Sequence, residues 1–278
     1  MIDVLLATCR PDPDVLRAQL DSIRAQRGVA VNLIRREDPG GEGPRGNFAA
    51  LLAASTADYA AFADQDDVWM ADKLERALAE MHALEEKWGK DAPLLVFTDA
   101  TVVDADLRPL DASLFRRIRV DPRRTRPEQL AVQNVAYGNT MLMNAALRKL
   151  ANPVPRDAFM HDSWVTLVAG VFGHMSCLRE PTLLYRQHGG NAIGGRKVGP
   201  GYFLSLARGG RGALRARLYA NVRQVEAFVA RFGARSPASF RALAGLERRC
   251  WPARVWTLLR HRFLKNGFLR NLGMLLVV

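Results

Sequence analysis

Short apolar runs alternate with amphipathic segments through the first hundred residues, and this alternation restricts the fold more than any other feature of the sequence. Strands are predicted at residues 2–7, 29–34, 59–63 and 94–98, and helices at residues 15–26, 47–54 and 71–88. Such strand–helix alternation predicts an α/β fold with a mostly parallel sheet flanked by helices, as in Rossmann-like nucleotide-binding domains. Ligands of these folds bind at the carboxyl ends of the strands.

Charge divides the chain into two parts. Residues 1–195 carry 23 Lys and Arg against 26 Asp and Glu, a net charge of −3, whereas residues 196–278 carry 17 against 2, a net charge of +15. The division lies within residues 189–201, where six of thirteen residues are glycine, a composition that favours a mobile connection. We therefore predict a body over residues 1–195 and a basic, α-helical C-terminal appendage over residues 196–278.

Apolar residues of the basic part recur every three or four positions between residues 214 and 232, which indicates an amphipathic helix. This stripe is compatible with packing on the body and with membrane contact. Aromatic, aliphatic and Arg residues mix over residues 250–278, a pattern typical of the headgroup boundary of an anionic membrane. We expect peripheral docking there. No motif that reads DNA or RNA accompanies the basic residues, and no apolar run is long enough to span a bilayer.

Cysteine usage and the first residues bear on the compartment. Cys9, Cys177 and Cys250 are too few and too scattered for a disulfide framework. The chain runs directly into a predicted strand and lacks the basic n-region of a secretory signal. We expect a reducing, cytoplasmic environment.

Three carboxylates follow the third predicted strand, in the sequence Asp64-Gln65-Asp66-Asp67. Alternate residues of an extended segment share a side, so Asp64 and Asp66 are expected to face one pocket. Two carboxylates held close repel each other unless a cation lies between them, and hard oxygen ligands favour Mg²⁺ or Mn²⁺. One of the three suits the N-cap of the next helix, but capping does not require three. The sequence therefore predicts a site for a divalent cation and a diphosphate.

Residues 63–69 and the following Asp72-Lys73-Leu74-Glu75 resemble the DXD region of family 2 glycosyltransferases, and more narrowly their bacterial rhamnosyltransferase-like branch, which builds O-antigen and related surface polysaccharides. The resemblance continues to about residue 195 through segments in the expected order, which are Leu5-Leu6-Ala7-Thr8, Asn47-Phe48, Phe97-Thr98-Asp99, Val103-Asp104, Gly138-Asn139-Thr140-Met141-Leu142, Met160-His161-Asp162 and Tyr185-Arg186-Gln187-His188-Gly189. It implies a GT-A fold, a nucleotide-diphosphate sugar donor, a Mg²⁺ or Mn²⁺ ion and an inverting single displacement.

The resemblance also implies roles for single residues. Asp162 is the expected general base, and Asp66 and His188 are the expected metal ligands. Without the resemblance, Asp162 is more typical of a helix cap and His188 of an ordinary loop histidine. Substrate contacts are expected from residues that line the nucleotide, sugar and acceptor pockets, namely Thr8, Cys9, Asp38, Asn47, Asp64, Gln65, Gly138, Asn139, Thr140, His161, Trp164 and Arg186.

Two features depart from the family pattern. Cys9-Arg10 replaces the usual aromatic-Asn pair after the first strand. Residues 36–47 are shorter than usual, retaining Asp38 but lacking a helix and an edge strand, which affects the wall of the nucleotide-base pocket.

Together these features predict an inverting, metal-dependent glycosyltransferase. L-rhamnose from dTDP-rhamnose is the leading donor sugar, the acceptor is lipid-linked or a polysaccharide, and the site of action is the cytoplasmic face of a bacterial plasma membrane. A nucleotidyltransferase that forms nucleotide sugars is an alternative, but residues 9–13 are not the glycine-rich triphosphate loop that it needs. A non-catalytic, basic peripheral adaptor is a second alternative, in which the acidic cluster would have no use.

Overall fold

The computed structural model describes residues 1–38, 40–187 and 210–278. The described strands form one eight-stranded sheet. They are β1 (Ile2–Thr8), β2 (Val31–Glu37), β3 (Tyr59–Ala63), β4 (Val68–Trp69), β5 (Leu94–Val103), β6 (Pro109–Asp111), β7 (Met141–Asn144) and β8 (His174–Arg186). The mobile connection predicted at residues 189–201 lies outside the described residues.

The described helices number eleven, apart from three short 3₁₀ turns. They are α1 (Pro13–Arg24), α2 (Gly43–Ala54), α3 (Lys73–Trp88), α4 (Leu114–Ile118), α5 (Pro127–Leu130), α6 (Ala145–Ala151), α7 (His161–Phe172), α8 (Gly210–Phe232), α9 (Ala238–Leu243), α10 (Trp251–Arg260) and α11 (Phe268–Val277). The 3₁₀ turns are Gly138–Thr140, Gly233–Arg235 and Leu246–Arg248.

The strand order is β2-β1-β3-β7-β5-β8-β4, with β6 paired to β5. Three pairings are parallel (β1 with β2, β1 with β3, β5 with β8), and the other four are antiparallel. The expected α/β class is confirmed, but the sheet is mixed and not mostly parallel, because β4, β6 and β7 each run antiparallel to the strands they pair with. β1, β3 and β5 are buried along almost their whole length, as in sheets covered by helices on both faces.

Element ends differ from the predicted ones for local and tertiary reasons. α1 begins at Pro13 because Oδ1 of Asp12 accepts from the N–H groups of Asp14 and Val15, which caps the helix, and proline suits the first helical turn. β5 is much longer than the predicted segment at residues 94–98 because it pairs with β8 along most of its length. That pairing is a tertiary contact that a local hydrophobic pattern does not reveal.

The ends of several strands meet at one edge of the sheet. The register pairs Thr8 of β1 with Glu37 of β2, and Val103 of β5 with Arg186 of β8. β3 ends at the same edge, directly before the acidic cluster, and the antiparallel β7 begins there after the 3₁₀ turn. The fold therefore brings the segments of the family pattern together at this edge.

The amphipathic helix predicted in the basic part is α8, and its apolar stripe packs on the body. Leu218, Val222 and Phe228 are buried in the same core as the sheet, and the ring of Phe228 stacks on Phe172 of α7 at 5.6 Å. Phe263, Met274 and Val278 of the last segment belong to the same core. The boundary at residues 195–196 stays a prediction, but the described parts on either side share one core. Among the described helices, none has both the length and the apolar composition that crossing a bilayer requires.

Close packing at the start of β8 gives a test of the fold. A Cβ atom added at Gly173 would lie 1.7 Å from the carbonyl oxygen of Pro93, a backbone atom that pairs with β8. We expect Gly173→Ala to lower the free energy of unfolding by roughly 1–3 kcal/mol or more, because the backbone must shift. Gly273→Ala in α11 is the control, since nothing lies within 4 Å of its added Cβ. Thermal melting measures both, and equal melting temperatures would contradict the described contact.

Candidate active site

The turn after β3 is anchored to two neighbouring elements. The backbone carbonyl of Asp64 accepts a hydrogen bond from Gln19 Nε2 of α1 at 3.0 Å. Gln65 bonds the backbone of Cys9 in both directions, since its Oε1 accepts from the N–H at 2.7 Å and its Nε2 donates to the carbonyl at 3.3 Å. These bonds hold the acidic turn against the end of β1, so the predicted donor-pocket residues Cys9, Asp64 and Gln65 lie together.

A buried polar network lies beneath this turn. Oδ2 of the fully buried Asp67 accepts from Asn139 Nδ2 at 2.5 Å, and its Oδ1 accepts from the backbone N–H of Arg186 at 3.3 Å. The carbonyl of Asn139 accepts from Lys73 Nζ of α3 at 3.0 Å. The network joins the acidic turn, the Gly138–Thr140 turn, the end of β8 and the start of α3.

The ionisation of this network is strongly shifted. Burial, together with the charges of Asp64 and Asp66, raises the pKa of Asp67 well above its usual range. Burial lowers the pKa of Lys73 to about 7, against the opposing charge of Asp67. The burial of Lys73 is tolerated because its Nζ has a carbonyl partner.

Arg186 fixes the acidic turn from the side of β8. It is buried, its Nε donates to the carbonyl of Asp66 at 2.9 Å, and its guanidinium also donates to the carbonyl of Ala105. These contacts orient the backbone that carries Asp66. The other residue predicted on this segment, the metal ligand His188, lies outside the described residues.

Asp162 lies in the first turn of α7 and faces the Gly138–Thr140 turn. Its Oδ1 accepts from the N–H of Ser163 at 2.6 Å and its Oδ2 from the N–H of Gly138 at 3.3 Å. The nearby side chain of Asn134 favours the ionised form of this carboxylate. Burial raises the pKa of Asp162 to about 6, and the backbone hydrogen bonds, led by that from Ser163, oppose that rise. A carboxylate with such a pKa is ionised at neutral pH and still basic enough to accept a proton.

The carboxylates of the site repel one another. Burial raises the pKa of Asp64 to about 7, and the charges of Asp66 and Asp162 add to the rise. Acidic groups in this arrangement resist ionising together unless a cation is present. The ionisation of the general-base candidate is therefore coupled to that of the acidic turn.

These carboxylates fit a divalent cation that also binds a substrate diphosphate. Within residues 1–38, 40–187 and 210–278, no three His, Cys, Asp or Glu side chains converge as a metal site. A Mg²⁺-type ion bound through substrate phosphates needs only one or two carboxylates from the protein. Asp64 and Asp66 would supply such oxygens, and a bound cation would relieve their mutual repulsion.

Asn47 ties the ends of β1 and β2 together. It is buried, and its Nδ2 donates to the carbonyls of Thr8 and Arg36, each at 3.2 Å. The hydroxyl of Thr8 donates to the carbonyl of Arg36 at 3.4 Å. The structure thus places Thr8 and Asn47 at the expected edge, with Nδ2 of Asn47 bonded to backbone carbonyls and its Oδ1 accepting from Nη1 of Arg36 at 3.0 Å.

Asp38 organises the shortened segment after β2. Its carboxylate accepts from the N–H groups of Gly40, Gly43 and Glu42 at 3.0, 3.0 and 3.4 Å, and these bonds, led by that from Gly40, hold its pKa below the usual range. The segment leads directly into α2, and β2 ends the sheet on this side. The short connection predicted here is confirmed.

His161 is packed inside the protein. Its ring stacks on Phe48 at 4.0 Å and contacts the edge of Phe62 at 4.8 Å, and burial lowers its pKa to about 3. It is therefore neutral. Neither ring nitrogen has a partner within the described part of the chain. A Cβ atom at Gly138 would lie 2.8 Å from its Nε2, so the ring supports the Gly138–Thr140 turn from below.

Trp164 lies away from the acidic turn. It is fully buried, its Nε1 donates to the carbonyl of Ala151 at 2.7 Å, and its ring packs near Phe228 and Phe232 of α8. The structure makes it a packing residue between α6, α7 and α8. The substrate contact expected from the resemblance is not part of the site described here.

The Gly138–Thr140 turn combines ordinary turn bonds with contacts to the site. The Thr140 hydroxyl donates to the carbonyl of Tyr137 at 2.7 Å, which is local turn chemistry. Gly138 and Asn139 instead reach Asp162 and Asp67. This turn therefore joins the general-base candidate to the acidic turn.

Three residues of the site are absent from the sequence-based set, namely Gln19, Lys73 and Asn134. Lys73 lies inside the DXD-like segment, so its residue type and spacing were visible, although its burial was not. Gln19 contacts Asp64 across 45 positions, and Asn134 lies near Asp162 on a separate loop. Such contacts have no local sequence signal.

Known proteins share the sequence pattern and the fold of this chain. Residues 11–150, half of the chain, match the glycosyl transferase family 2 domain. The chain belongs to glycosyl transferase family 2. None of the curated protein sequences matches this glycosyltransferase.

Solved structures show the same fold. The 1–349 fragment of TarS from S. aureus has a TM-score of 0.51 and 12% identity, covering 99% of this chain and 89% of its own. The same fragment in complex with UDP-GlcNAc has a TM-score of 0.50 and 15% identity, covering 94% of this chain and 80% of its own. At these identities the likeness shows the fold alone. The expected GT-A fold is confirmed.

The raised pKa of Asp162 predicts a pH-dependent stability. In the metal-free protein, folding favours protonated Asp162 between its ordinary pKa near 3.8 and its folded value of about 6. Stability should fall as pH rises through that window, by about 3 kcal/mol from this group. Asp162→Asn should reduce that slope, as measured by urea unfolding at a series of pH values in chelator. Asp157→Asn, at an exposed carboxylate, should leave the slope unchanged, and an unchanged slope in Asp162→Asn would contradict the burial.

Proposed function

We propose that this glycosyltransferase catalyses an inverting, metal-dependent transfer of a sugar from a nucleoside-diphosphate donor to a hydroxyl of a growing surface polysaccharide. One observation carries the proposal. The Gly138–Thr140 turn bonds Asp162 through the N–H of Gly138 and the acidic turn through the amide of Asn139, so a candidate base and a candidate diphosphate site are joined at one edge of the sheet.

The chemistry is a single displacement. The acceptor oxygen attacks the anomeric carbon as the bond from that carbon to the diphosphate oxygen breaks, and Asp162 accepts the proton of the attacking hydroxyl. The N–H groups of Ser163 and Gly138 hold the carboxylate for this step. Attack from the face opposite the diphosphate inverts the anomeric configuration.

The leaving diphosphate requires positive charge. Asp66, with Asp64 beside it and His188 from the segment after β8, would hold a Mg²⁺ or Mn²⁺ ion, which stabilises the diphosphate as a Lewis acid. Gln65 and Arg186 fix the turn that carries these carboxylates. Thr8, Cys9, Asp38 and Asn47 border the edge where the nucleotide base of the donor would lie.

L-rhamnose from dTDP-rhamnose is the proposed donor sugar. It is supported by the ordered motif set from residue 5 to residue 189, which resembles the rhamnosyltransferase-like branch. UDP-GlcNAc, which the TarS fragment holds, is the competing donor. A hydrolysis screen of both nucleotide sugars and a wider panel, with Mg²⁺ and with Mn²⁺, distinguishes them.

The alternatives are weaker for physical reasons. A nucleotidyltransferase would need a triphosphate loop after β1, and the backbone of Cys9 is instead occupied by Gln65. A non-catalytic adaptor would have no use for Asp162 with its raised pKa. Perturbed carboxylates grouped at the carboxyl ends of strands are typical of catalytic sites.

Two substitutions separate the proposed roles. Asp66→Ala should abolish metal-dependent donor binding and transfer, because the ion loses its carboxylate. Asp162→Asn should retain donor binding and lose about 10²–10⁴-fold in transfer rate. Calorimetry with donor and Mn²⁺, and a transfer assay, measure the two effects, with Asp157→Asn as the control. Donor binding lost in Asp162→Asn, or metal-dependent turnover kept in Asp66→Ala, would contradict the assignment.

The surface of the C-terminal helices supports a membrane-bound acceptor. Most of the large apolar side chains that the structure exposes lie on α10 and α11, namely Trp251, Trp256, Leu259, Phe268, Leu269, Leu272 and Leu276. Arg248, Arg260 and Arg262 are exposed in the same region. Exposed apolar residues among basic ones suit the headgroup layer of an anionic membrane. We place this docking face on the cytoplasmic side of a bacterial plasma membrane, where a lipid-linked acceptor would present its sugar.

Surface substitutions test docking without disturbing the core that the C-terminal region shares with the body. We expect Trp256→Ser with Phe268→Ser to abolish the part of anionic-vesicle binding that survives high salt, because apolar burial is not screened. Arg248→Gln with Arg260→Gln should reduce the salt-sensitive part, at about 1 kcal/mol for each charge. Co-sedimentation at several salt concentrations measures both effects.

The matched control is Leu110→Ser, since Leu110 is about as exposed as Leu259 but lies on β6. It should bind vesicles as the unmodified chain does. Equal binding of all variants would contradict the docking face. A concentration-dependent dimer that Trp256→Ser with Phe268→Ser disrupts, without any vesicle binding, would assign the face to a second copy of the chain.

A further inference from the structure

The connection of residues 261–267 joins α10 to α11 and carries a lysine whose ammonium has no partner. Lys265 is partly buried, and its backbone closes the turn, since its N–H donates to Oδ1 of Asn271 at 2.7 Å and its carbonyl accepts from Nδ2 of Asn271 at 3.0 Å. Within residues 1–38, 40–187 and 210–278, its Nζ has neither a hydrogen-bond acceptor nor an ion-pair partner. A partly buried ammonium without a partner is destabilising, because it loses hydration. The fold alone therefore does not explain Lys265.

Two arginines bond the backbone on either side of this lysine. Nη2 of Arg124 donates to the carbonyl of Leu264 at 2.7 Å, and Nη1 of Arg270 donates to the carbonyl of Asn266 at 3.4 Å. Carbonyl oxygens orient a guanidinium group but carry no net charge that could balance it. The connection between α10 and α11 therefore gathers three cationic side chains within three consecutive residues of backbone.

α8 brings a further arginine to the same place. Nδ2 of Asn221 on α8 donates to the carbonyl of Val132 at 3.4 Å, and Oε1 of the next residue, Gln133, accepts from the N–H of Asn266 at 2.6 Å. Arg217 lies one helical turn before Asn221 and on the same face of α8. The exposed side chain of Arg217 therefore belongs to the side of α8 that meets this connection.

The charges that act on Lys265 are positive. Burial lowers the pKa of Lys265 to about 8, and the charges of Arg217 and Arg270 add to that effect. The carboxylate of Asp121 also lies near the connection, but Arg123 occupies it, donating to both of its oxygens at 2.9 Å. An anion is the ligand that such an arrangement attracts. We call these four cationic residues the basic cluster, namely Arg124, Arg217, Lys265 and Arg270.

The basic cluster lies between the docking face and the candidate base. On one side, Leu259 of α10 and Phe268 of α11 flank the connection and are exposed. On the other side, the guanidinium of Arg217 lies over the ring of Phe159 at 5.8 Å. Phe159 precedes Asp162 by three residues, which a chain spans in at most about 11 Å. An acceptor anchored at the docking face would therefore pass the basic cluster on its way to Asp162.

We propose that the basic cluster binds the phosphate group that links the acceptor sugar to a lipid anchor. A lipid-linked saccharide has an apolar chain, a phosphate or diphosphate and a sugar in that order. The protein presents exposed apolar side chains, the basic cluster and the candidate base in the same order. Ammonium and guanidinium groups suit phosphate oxygens, because charge-assisted hydrogen bonds are stronger than neutral ones. The inference rests on the proposed function and narrows its acceptor to one with a phosphate beside the lipid.

Thermal melting without ligand distinguishes a binding lysine from a structural one. Lys265→Met removes a partly buried, unpaired charge and keeps an unbranched apolar side chain. We therefore expect a melting temperature at or above that of the unmodified chain. A lower melting temperature would instead assign Lys265 to the fold. The basic cluster is then tested by Arg217→Gln, whose exposed side chain can be changed without loss of the core.

The direct test is calorimetric binding of farnesyl diphosphate without vesicles and in the presence of chelator. This probe has an apolar chain and a diphosphate but no sugar, and chelator removes the cation through which the acidic turn would bind a diphosphate. We expect Lys265→Met and Arg217→Gln each to weaken binding about tenfold or more, because each loses a bond to a charged oxygen. Farnesol, which lacks the diphosphate, should bind the unmodified chain and both variants alike.

Two substitutions of the same chemical kind are the matched controls. Arg223 is exposed on α8, six residues beyond Arg217 and hence on another face of the helix, and Lys149 is exposed on α6. Arg223→Gln and Lys149→Met should bind farnesyl diphosphate as the unmodified chain does. A loss in these controls equal to that in Lys265→Met and Arg217→Gln would show only an effect of net charge and would overturn the site.

Anionic vesicles distinguish an acceptor phosphate from a membrane headgroup. Lys265→Met and Arg217→Gln should co-sediment with phosphatidylglycerol vesicles as Arg223→Gln does, because the basic cluster is reserved for the acceptor. Vesicle binding weaker than that of Arg223→Gln would assign the basic cluster to headgroups and overturn the proposal. Farnesyl diphosphate bound equally by all chains, or by none, would overturn it as well.

Donor binding separates the failure of this inference from that of the proposed function. Calorimetry with nucleotide sugars and Mn²⁺ measures it on the unmodified chain. A chain that binds farnesyl diphosphate through the basic cluster but no nucleotide sugar would retain the lipid-phosphate site and lose the proposed transfer. A chain that binds a nucleotide sugar, with farnesyl diphosphate bound equally by all variants, would retain the proposed function and lose the lipid-phosphate site.

Discussion

The bond between the buried carboxylate of Asp67 and the amide of Asn139 is the interaction on which the rest of the site depends. It joins the turn after β3 to the turn before β7, and the N–H of Arg186 adds the end of β8. A buried carboxylate without such partners would cost several kcal/mol. The three chain segments are therefore held in one arrangement. This arrangement sets the spacing of the carboxylates on the acidic turn.

The C-terminal region contributes apolar side chains both to the core and to the exposed surface. Its inner side completes the core through residues such as Phe228 and Phe263, and its outer side exposes apolar groups on α10 and α11. Amphipathic periodicity cannot tell these uses apart, because a stripe that packs on a protein and one that enters a membrane have the same spacing. α8 packs on the body, whereas α10 and α11 bury some of their apolar residues in the core and expose others.

The sequence predicts β1, β2, β3 and β5, the helices α1, α2, α3 and α8, and the edge of the sheet that carries the site, because local periodicity and the acidic cluster are visible in it. Fewer of the side-chain contacts in and around the site can be predicted from the sequence. His161 and Trp164 stand next to Asp162 in the motif, but a helix turns neighbouring residues to different sides, and both are buried among aromatic rings. Lys73 looks like a surface residue of an amphipathic helix, and only the tertiary structure shows its carbonyl partner. The antiparallel insertion of β7 likewise has no local signal.

The contact between Gly138 and the ring of His161 has an evolutionary consequence. Any side chain at position 138 would meet Nε2 of the ring, which is itself confined between Phe48 and Phe62. In homologues, a residue larger than glycine at position 138 should therefore occur together with a residue smaller than histidine at position 161. Replacing both residues would take two successive substitutions. If position 138 changed first, the intermediate protein would contain the steric clash with His161. The residues at positions 138 and 161 are therefore expected to be conserved together or replaced together.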